Sequence, residues 1–349
     1  MNCAPASIAL ALTLLAPVLS KPSSAQIVSQ AKTSAGPALT SYAGETFLAW
    51  AGISSQSVDG KIIHKVGYKI NDGAWREQQI MPYTEINTIA APALATAATD
   101  GSAAQYVYMA WTQDDNLIHY AVWDETTSSF STTDPYICDS AECESVAAPA
   151  LAGGTTALYA AWTTAAGAIQ YATYAKGVWT MFSAAVPGVS TKMAPALTVY
   201  GDELYLAWIN ESKQIQIERA ALPLPASGAA WASMPAPASA TGVAPALGEG
   251  FIGSVPWKAG QELFIAWNNG SAIDLDYWDG AAWMPFGGPI PPGPLETLSP
   301  ALNYYSTPGI CGATYAFNLG FTLGGDDASE IDWTIVNGVI YTAPSCPKL

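Results

Sequence analysis

Six polar residues stand at one recurring place in the chain: His64, His119, Gln170, Gln216, Asp274 and Asp332. Each follows an isoleucine, and five of the six triplets close on another apolar residue, as in Ile118-His119-Tyr120 and Ile215-Gln216-Ile217. Strand alternation puts the polar member on the opposite face from its isoleucine. Imidazole, amide and carboxylate groups can all hydrogen-bond to hydroxyls. The change of chemical type from copy to copy argues against one repeated reaction. It permits several similar but unequal binding sites, and the structural alternative is a polar position facing solvent or a neighbouring unit. Both histidines of the chain fall here, so neither reads as an isolated catalytic base.

Large aromatics accompany these polar residues. Trp50, Trp111, Trp162, Trp208 and Trp267 share a second position, with Phe317 in the last copy. A ring of this size buries about 150–250 Å² and can fill the wedge between neighbouring units. The alternative is a stacking platform, since a flat apolar face matches the C–H patches of a sugar. An outer position holds Trp75, Phe130, Trp179, Trp231 and Trp283, with Tyr341 in the last copy, and reads as packing. Trp123 and Trp278, like Tyr174 and Trp257, share no position in all copies and are the better candidates for exposed stacking. Asp114-Asp115, Asp326-Asp327 and the group Asp139, Glu142 and Glu144 offer oxygen ligands, with calcium as the alternative to solvated loops. They lack the spacing of a strict calcium loop, so no metal site and no cofactor are expected.

The elements that must position these residues repeat. The copies begin near residues 36, 91, 148, 194, 244 and 299. Their prolines, Pro37, Pro92, Pro149, Pro195, Pro245 and Pro300, are separated by 55, 57, 46, 50 and 55 residues. A period near 50 without helical patterning points to a blade of about four antiparallel strands. Pro-Ala-Leu opens an inner strand of small residues, and Leu204-Tyr205-Leu206-Ala207-Trp208 alternates as a second strand. The Ile-polar-apolar triplet makes a third strand, and turns such as Lys176-Gly177 lead to the outer one. Proline and glycine break every long alanine-rich run, so no helices are expected. The fold class is therefore all-β, a six-bladed β-propeller. Ile27-Val28 would add a strand to the last blade and close the ring.

Composition limits the chemistry. Of 349 residues only 11% are charged, and acids outnumber bases 28 to 12, for a net charge of −16. With two arginines, Arg76 and Arg219, phosphate clamps and nucleic-acid binding are disfavoured. Ser7 to Leu19 is an uncharged apolar run too short to span a bilayer, and Ser23-Ser24-Ala25 follows. Residues 1–25 read as a signal peptide cleaved after Ala25, with Ser20 as second choice, leaving 26–349 as one secreted domain without a transmembrane segment. Four cysteines remain, Cys138, Cys143, Cys311 and Cys346, suggesting two disulfides. Neighbour pairing gives Cys138–Cys143 and Cys311–Cys346; two other connectivities and a zinc site are the alternatives. Asn210-Glu211-Ser212 and Asn269-Gly270-Ser271 are glycosylation sequons, each two residues beyond a repeat tryptophan.

Pro-Ala-Leu, Leu-Tyr-Leu-Ala-Trp, Ile-Gln-Tyr-Ala and Gly-x-Trp together resemble the repeats of secreted β-propeller lectins of fungi and bacteria, over about residues 27 to 349. Fucose-binding members and bacterial insect-pathogen lectins belong to this group. The resemblance implies several shallow sugar pockets between blades, glycans or glycoproteins as partners, and neither catalysis nor an obligatory cofactor. One fucose-binding group uses an arginine, a glutamate and aromatics in each pocket, and two arginines cannot build that pocket six times. The alternatives are a propeller that binds a protein partner and a glycoside hydrolase. An acidic pair in the central channel would mark the hydrolase, and similar pockets around the ring would mark the lectin.

Overall fold

Turn residues cut the alternating apolar pattern into short strands, and the strands form radial sheets around a channel. The computed structural model describes residues 26–33, 35–58, 61–71, 76, 79–81, 87–131, 135–182, 184–237, 242–251, 261–286, 299–309, 312–323 and 329–336. Among them the only helical element is the short 3-10 turn Ala141–Cys143. The third repeat shows the pattern: Ala150–Gly153, Leu158–Thr163, Ile169–Ala175 and Val178–Met181 form a four-stranded antiparallel sheet in chain order. The fourth repeat matches it with Ala196–Tyr200, Glu203–Ile209, Ile215–Ala221 and Ala232–Met234. Lys176 and Gly177 both take positive φ between their paired strands, the tight hairpin that the Lys-Gly sequence predicts.

The inner strands need small residues because they run close together. A Cβ added at Gly153 would lie 1.7 Å from the Thr96 carbonyl oxygen of the preceding inner strand. Six inner strands follow one another around the channel, and the last, Ala301–Gly309, returns to the first, Ala38–Tyr42. Their leucines, Leu39, Leu94, Leu151, Leu197, Leu247 and Leu302, line both mouths of the channel and separate a cavity of about 400 Å³ on the proline side from one of about 780 Å³ opposite. Five apolar clusters fill the wedges between successive repeats. Trp50, Trp111, Trp162, Trp208 and Trp267 are all buried, and the last four each join the cluster shared with the preceding repeat. Wedge filling is therefore their structural role.

Two expectations change. Six repeats predict six separate blades, but hydrogen bonding divides the described strands into five sheets. Thr33 of the N-terminal strand Gln26–Thr33 pairs with Gly52, while Lys32 and Thr33 pair with Glu330 and Ser329. The first and last repeats thereby merge into one nine-stranded sheet. Trp123 is the second correction. It is buried between the first two repeats, with Phe47 and Phe130 at 5.1 and 5.4 Å between ring centroids, and has no open face for stacking. Among the described residues no helix is long and apolar enough to cross a membrane.

Candidate functional site

Strand register decides which polar residues meet the repeat tryptophans. Trp111 pairs with His119, Trp162 with Gln170, Trp208 with Gln216 and Trp267 with Asp274. All four pairs stand at the proline end of their sheets, beside the loop from second to third strand. His64 and Asp332 do not share this register. His64 pairs with Ser55, past a bulge in the long strand Glu45–Val58, and Asp332 pairs with Phe321, four residues beyond Phe317. Across from Trp50 stands Gly67, where an added Cβ would lie 2.7 Å from the indole ring. Val66-Gly67-Tyr68 is thus the first repeat's true counterpart of Ile215-Gln216-Ile217.

The four matched pairs have different surroundings. In the second repeat the His119 ring is buried, stacks on Trp111 at 6.1 Å, and meets the edge of Tyr136 at 5.9 Å. Its Nε2 lies 3.1 Å from Asp115 Oδ2. In the third repeat the Trp162 indole N–H donates to the Glu142 carbonyl at 3.0 Å. Glu142 belongs to the loop closed by the disulfide between Cys138 and Cys143, and Gln170, the strand partner of Trp162, is buried. In the fifth repeat Asn269 Nδ2 donates to Asp274 Oδ2 at 2.7 Å. Burial, with the Asp274 charge added, pushes the neighbouring Asp276 carboxyl up to about 6.

The fourth repeat is open. Trp208 and Gln216 line a cavity of about 290 Å³ with Asn210, Glu211 and Ser212 from the sequon loop and Gly188 and Ser190 from the preceding connection. Ser190 Oγ donates to Glu211 Oε1 at 2.7 Å across this space, and Gln216 Nε2 donates to the Ile215 carbonyl at 3.0 Å. One aromatic surface, amide groups, a hydroxyl pair and a carboxylate converge there, with no lysine, arginine or histidine among the described lining residues. The arrangement suits a neutral, hydroxyl-rich ligand. Ser190 and Gly188 escape repeat comparison because they lie in a connection of variable sequence.

Other expected residues are placed as follows. Trp278 is half-buried and packs on Trp283 at 5.5 Å, away from this cavity. Asn210 is half-buried in the cavity wall and Asn269 is exposed. Phe317 and Asp332 lie on described strands, their side chains outside the described set. Trp75, Trp257, Tyr341, Cys311, Cys346, Asp326-Asp327 and residues 1–25 lie outside the described residues. Among the described residues no group of three or more His, Cys, Asp or Glu side chains is placed to hold a metal.

No protein-family profile and no curated protein sequence matches the chain. Solved structures do. Aleuria aurantia lectin in complex with Fucalpha1-6GlcNAc aligns over 89% of this chain and 97% of its own, at 14% identity and a TM-score of 0.57. A triple arginine-to-alanine mutant of AofleA from Arthrobotrys oligospora aligns over 85% of each chain, at 10% identity and a TM-score of 0.59. The chain is a β-propeller. Trypanosoma rangeli sialidase shares the fold, over 87% of this chain but 55% of its own, at 10% identity and a TM-score of 0.57. Identities this low establish the propeller architecture and leave the ligand to the site itself.

Proposed function

We propose that this propeller is a secreted carbohydrate-binding protein that holds neutral glycan ends at the edge between repeats, without catalysis and without an obligatory cofactor. The open cavity at Trp208 and Gln216 carries the reading. It combines one aromatic wall with hydrogen-bonding groups of both polarities at the scale of a sugar residue. The sugar ligand named with Aleuria aurantia lectin supports it, as does the small number of cationic side chains. Binding is unequal around the ring, because His119 and Asp274 are each engaged and Gln170 is buried.

In the same reading residues 1–25 are removed on export and 26–349 form the single mature domain, latched by Gln26–Thr33. Cys311 and Cys346 form the second disulfide, Asn210 and Asn269 are available for modification, and the partners are glycans or glycoproteins. The test is a glycan array with disulfide-intact protein starting at Gln26, run with calcium and with chelator. Binding to a related set of neutral glycans, lost in Gln216→Ala and equal in both buffers, is expected. An unchanged profile for Gln216→Ala would remove this cavity from the account.

A further inference from the structure

The wide funnel at the far end of the channel is a separate feature from the cavity at Trp208. Its volume of about 780 Å³ lies within the ordinary range for small-molecule sites. The six leucines close its floor, and its wall carries threonine and serine hydroxyls, the amides of Gln105 and Asn303, and the carboxyl groups of Asp202 and Glu249. Among the described residues no lysine or arginine lines it, so its described wall offers an anionic ligand only like charge.

The two sides of the funnel differ in how their polar groups are satisfied. On the side of the first, second and last repeats the protein satisfies itself. Thr40 and Thr96 hydroxyls are 3.1 Å apart, Thr96 Oγ1 donates to the Ser41 carbonyl at 2.9 Å, and Asn303 Nδ2 donates to Ser41 Oγ at 2.5 Å. On the opposite side Glu249 has no hydrogen-bond donor among the described residues. Its described titratable neighbours add no positive charge: the Tyr200 hydroxyl is turned to Glu262 Oε2 at 3.5 Å. A carboxyl that lines a cavity with no described donor beside it is open to a ligand that brings one.

We propose that this funnel is a second binding site, for an amino sugar with a free ammonium group, which would meet Glu249 while its hydroxyls meet Thr155, Thr156 and Thr198. The hydroxyl-bearing wall favours a sugar over a plain alkylamine, and the leucine floor would take one apolar sugar face. Burial alone pushes the Glu249 carboxyl up to about 7. An ammonium partner favours the ionised carboxylate, so binding near neutral pH should release a proton.

The test is calorimetric titration of the mature protein at pH 7 with D-glucosamine, N-acetyl-D-glucosamine and D-glucose, repeated in two buffers of different ionisation enthalpy. Glucosamine should bind at least about tenfold more tightly than either neutral sugar, equivalent to about 1.4 kcal/mol, with net proton release. Glu249→Gln should abolish the preference, and Gln216→Ala should preserve it. Equal binding of all three sugars, no binding of glucosamine, or a preference that survives Glu249→Gln overturns the proposal. A preference lost in Gln216→Ala would assign glucosamine to the other cavity and equally overturn it. If Glu249→Gln does not fold, Glu249→Ala removes the carboxyl instead, and a preference that survives there has the same meaning. Loss of glycan-array binding alone would count against the lectin reading and leave the funnel result standing.

Discussion

The third and fourth repeats carry the same pair of side chains in the same register, Trp162 with Gln170 and Trp208 with Gln216, yet among the described residues a cavity opens at the second pair while Trp162 and Gln170 are buried. The scaffold is not what differs. Both sheets are four-stranded, and both tryptophans fill the wedge against the preceding repeat. The difference lies in the connection that enters each repeat. From Ile137, whose N–H reaches the Ile118 carbonyl, the chain takes twelve residues to Pro149; from Val186, bonded likewise to Ile169, it takes nine to Pro195. The longer connection includes the turn Ala141–Cys143, buries Cys143 and supplies the carbonyl that caps Trp162. Repetition builds equivalent positions, and the connections decide which of them a ligand can enter.

The strongest way to break this comparison is to remove the tryptophans. Trp162→Ala should destabilise by about 3–5 kcal/mol, the range for truncating a large buried aromatic, and leave glycan binding intact. Trp208→Ala should cost about 1 kcal/mol less, because its indole loses no capping bond comparable to that of Trp162, but it should abolish binding at the fourth repeat. Urea unfolding beside a glycan-binding assay separates the two effects. Equal loss of binding in both variants would mean that the covered position is in use.

These measurements share a pH-dependent background from Glu249. Its carboxyl is raised by burial from 4.5 to about 7 in the folded chain. A raised carboxyl favours the fold while it is protonated. That contribution is fully present below pH 4.5, shrinks as pH rises, and is lost above the folded value near 7. The loss amounts to about 3 kcal/mol between pH 4 and 8. Unfolding curves should fall together for wild type, Trp162→Ala and Trp208→Ala, and Glu249→Gln should reduce the dependence, leaving the part from Asp276, whose carboxyl burial also raises. A pH response that separates the two tryptophan variants would show that another titrating group lies at one of the two interfaces.

Opening the covered repeat is the next perturbation. Replacing Cys138 and Cys143 by serine removes a short cross-link worth about 2 kcal/mol in the chain-entropy model. The Trp162 indole N–H should then lose protection against hydrogen exchange, and glycan stoichiometry should rise above that of the disulfide-bonded protein. Protection that survives the double substitution would show that the buried packing of Ile137 and Ser145 holds the loop by itself.

Much of this architecture can be read in the residues. Pro-Ala-Leu marks the inner ring because only small residues fit where strands approach as closely as Gly153 does to Thr96. The repeat tryptophans are legible as wedges because a large ring at a fixed step along an alternating strand must face a neighbouring sheet. The polar partners are legible only where strand lengths are regular. The first repeat has Ile63-His64-Lys65 as its nearest match in sequence, but the bulge in Glu45–Val58 brings Val66-Gly67-Tyr68 to that place instead. Trp123 looks free in the sequence because nothing local reveals Phe47, 76 residues earlier, as its packing partner. The merger of the first and last repeats depends on a single pairing of Thr33 with Gly52, which no periodicity encodes.

The smallest expected effect on stability carries the sharpest test of the site. Asn210 belongs to a sequon and also lines the cavity of the fourth repeat, while its Oδ1 accepts the Gln214 N–H at 2.9 Å. A glycan attached to Asn210 would occupy the mouth of the pocket that free glycans must enter. Protein from a glycosylating host should therefore bind an array weakly, and enzymatic removal of the glycan should restore binding with a change in stability of less than about 0.5 kcal/mol, as for most surface changes. Asn269 provides the internal control, since it is exposed and outside that cavity. Blocking modification there with Ser271→Ala should leave binding as it was. If glycosylated and deglycosylated protein bind alike while Asn210 is fully occupied, the ligand enters elsewhere, and the contrast between the third and fourth repeats would describe packing alone.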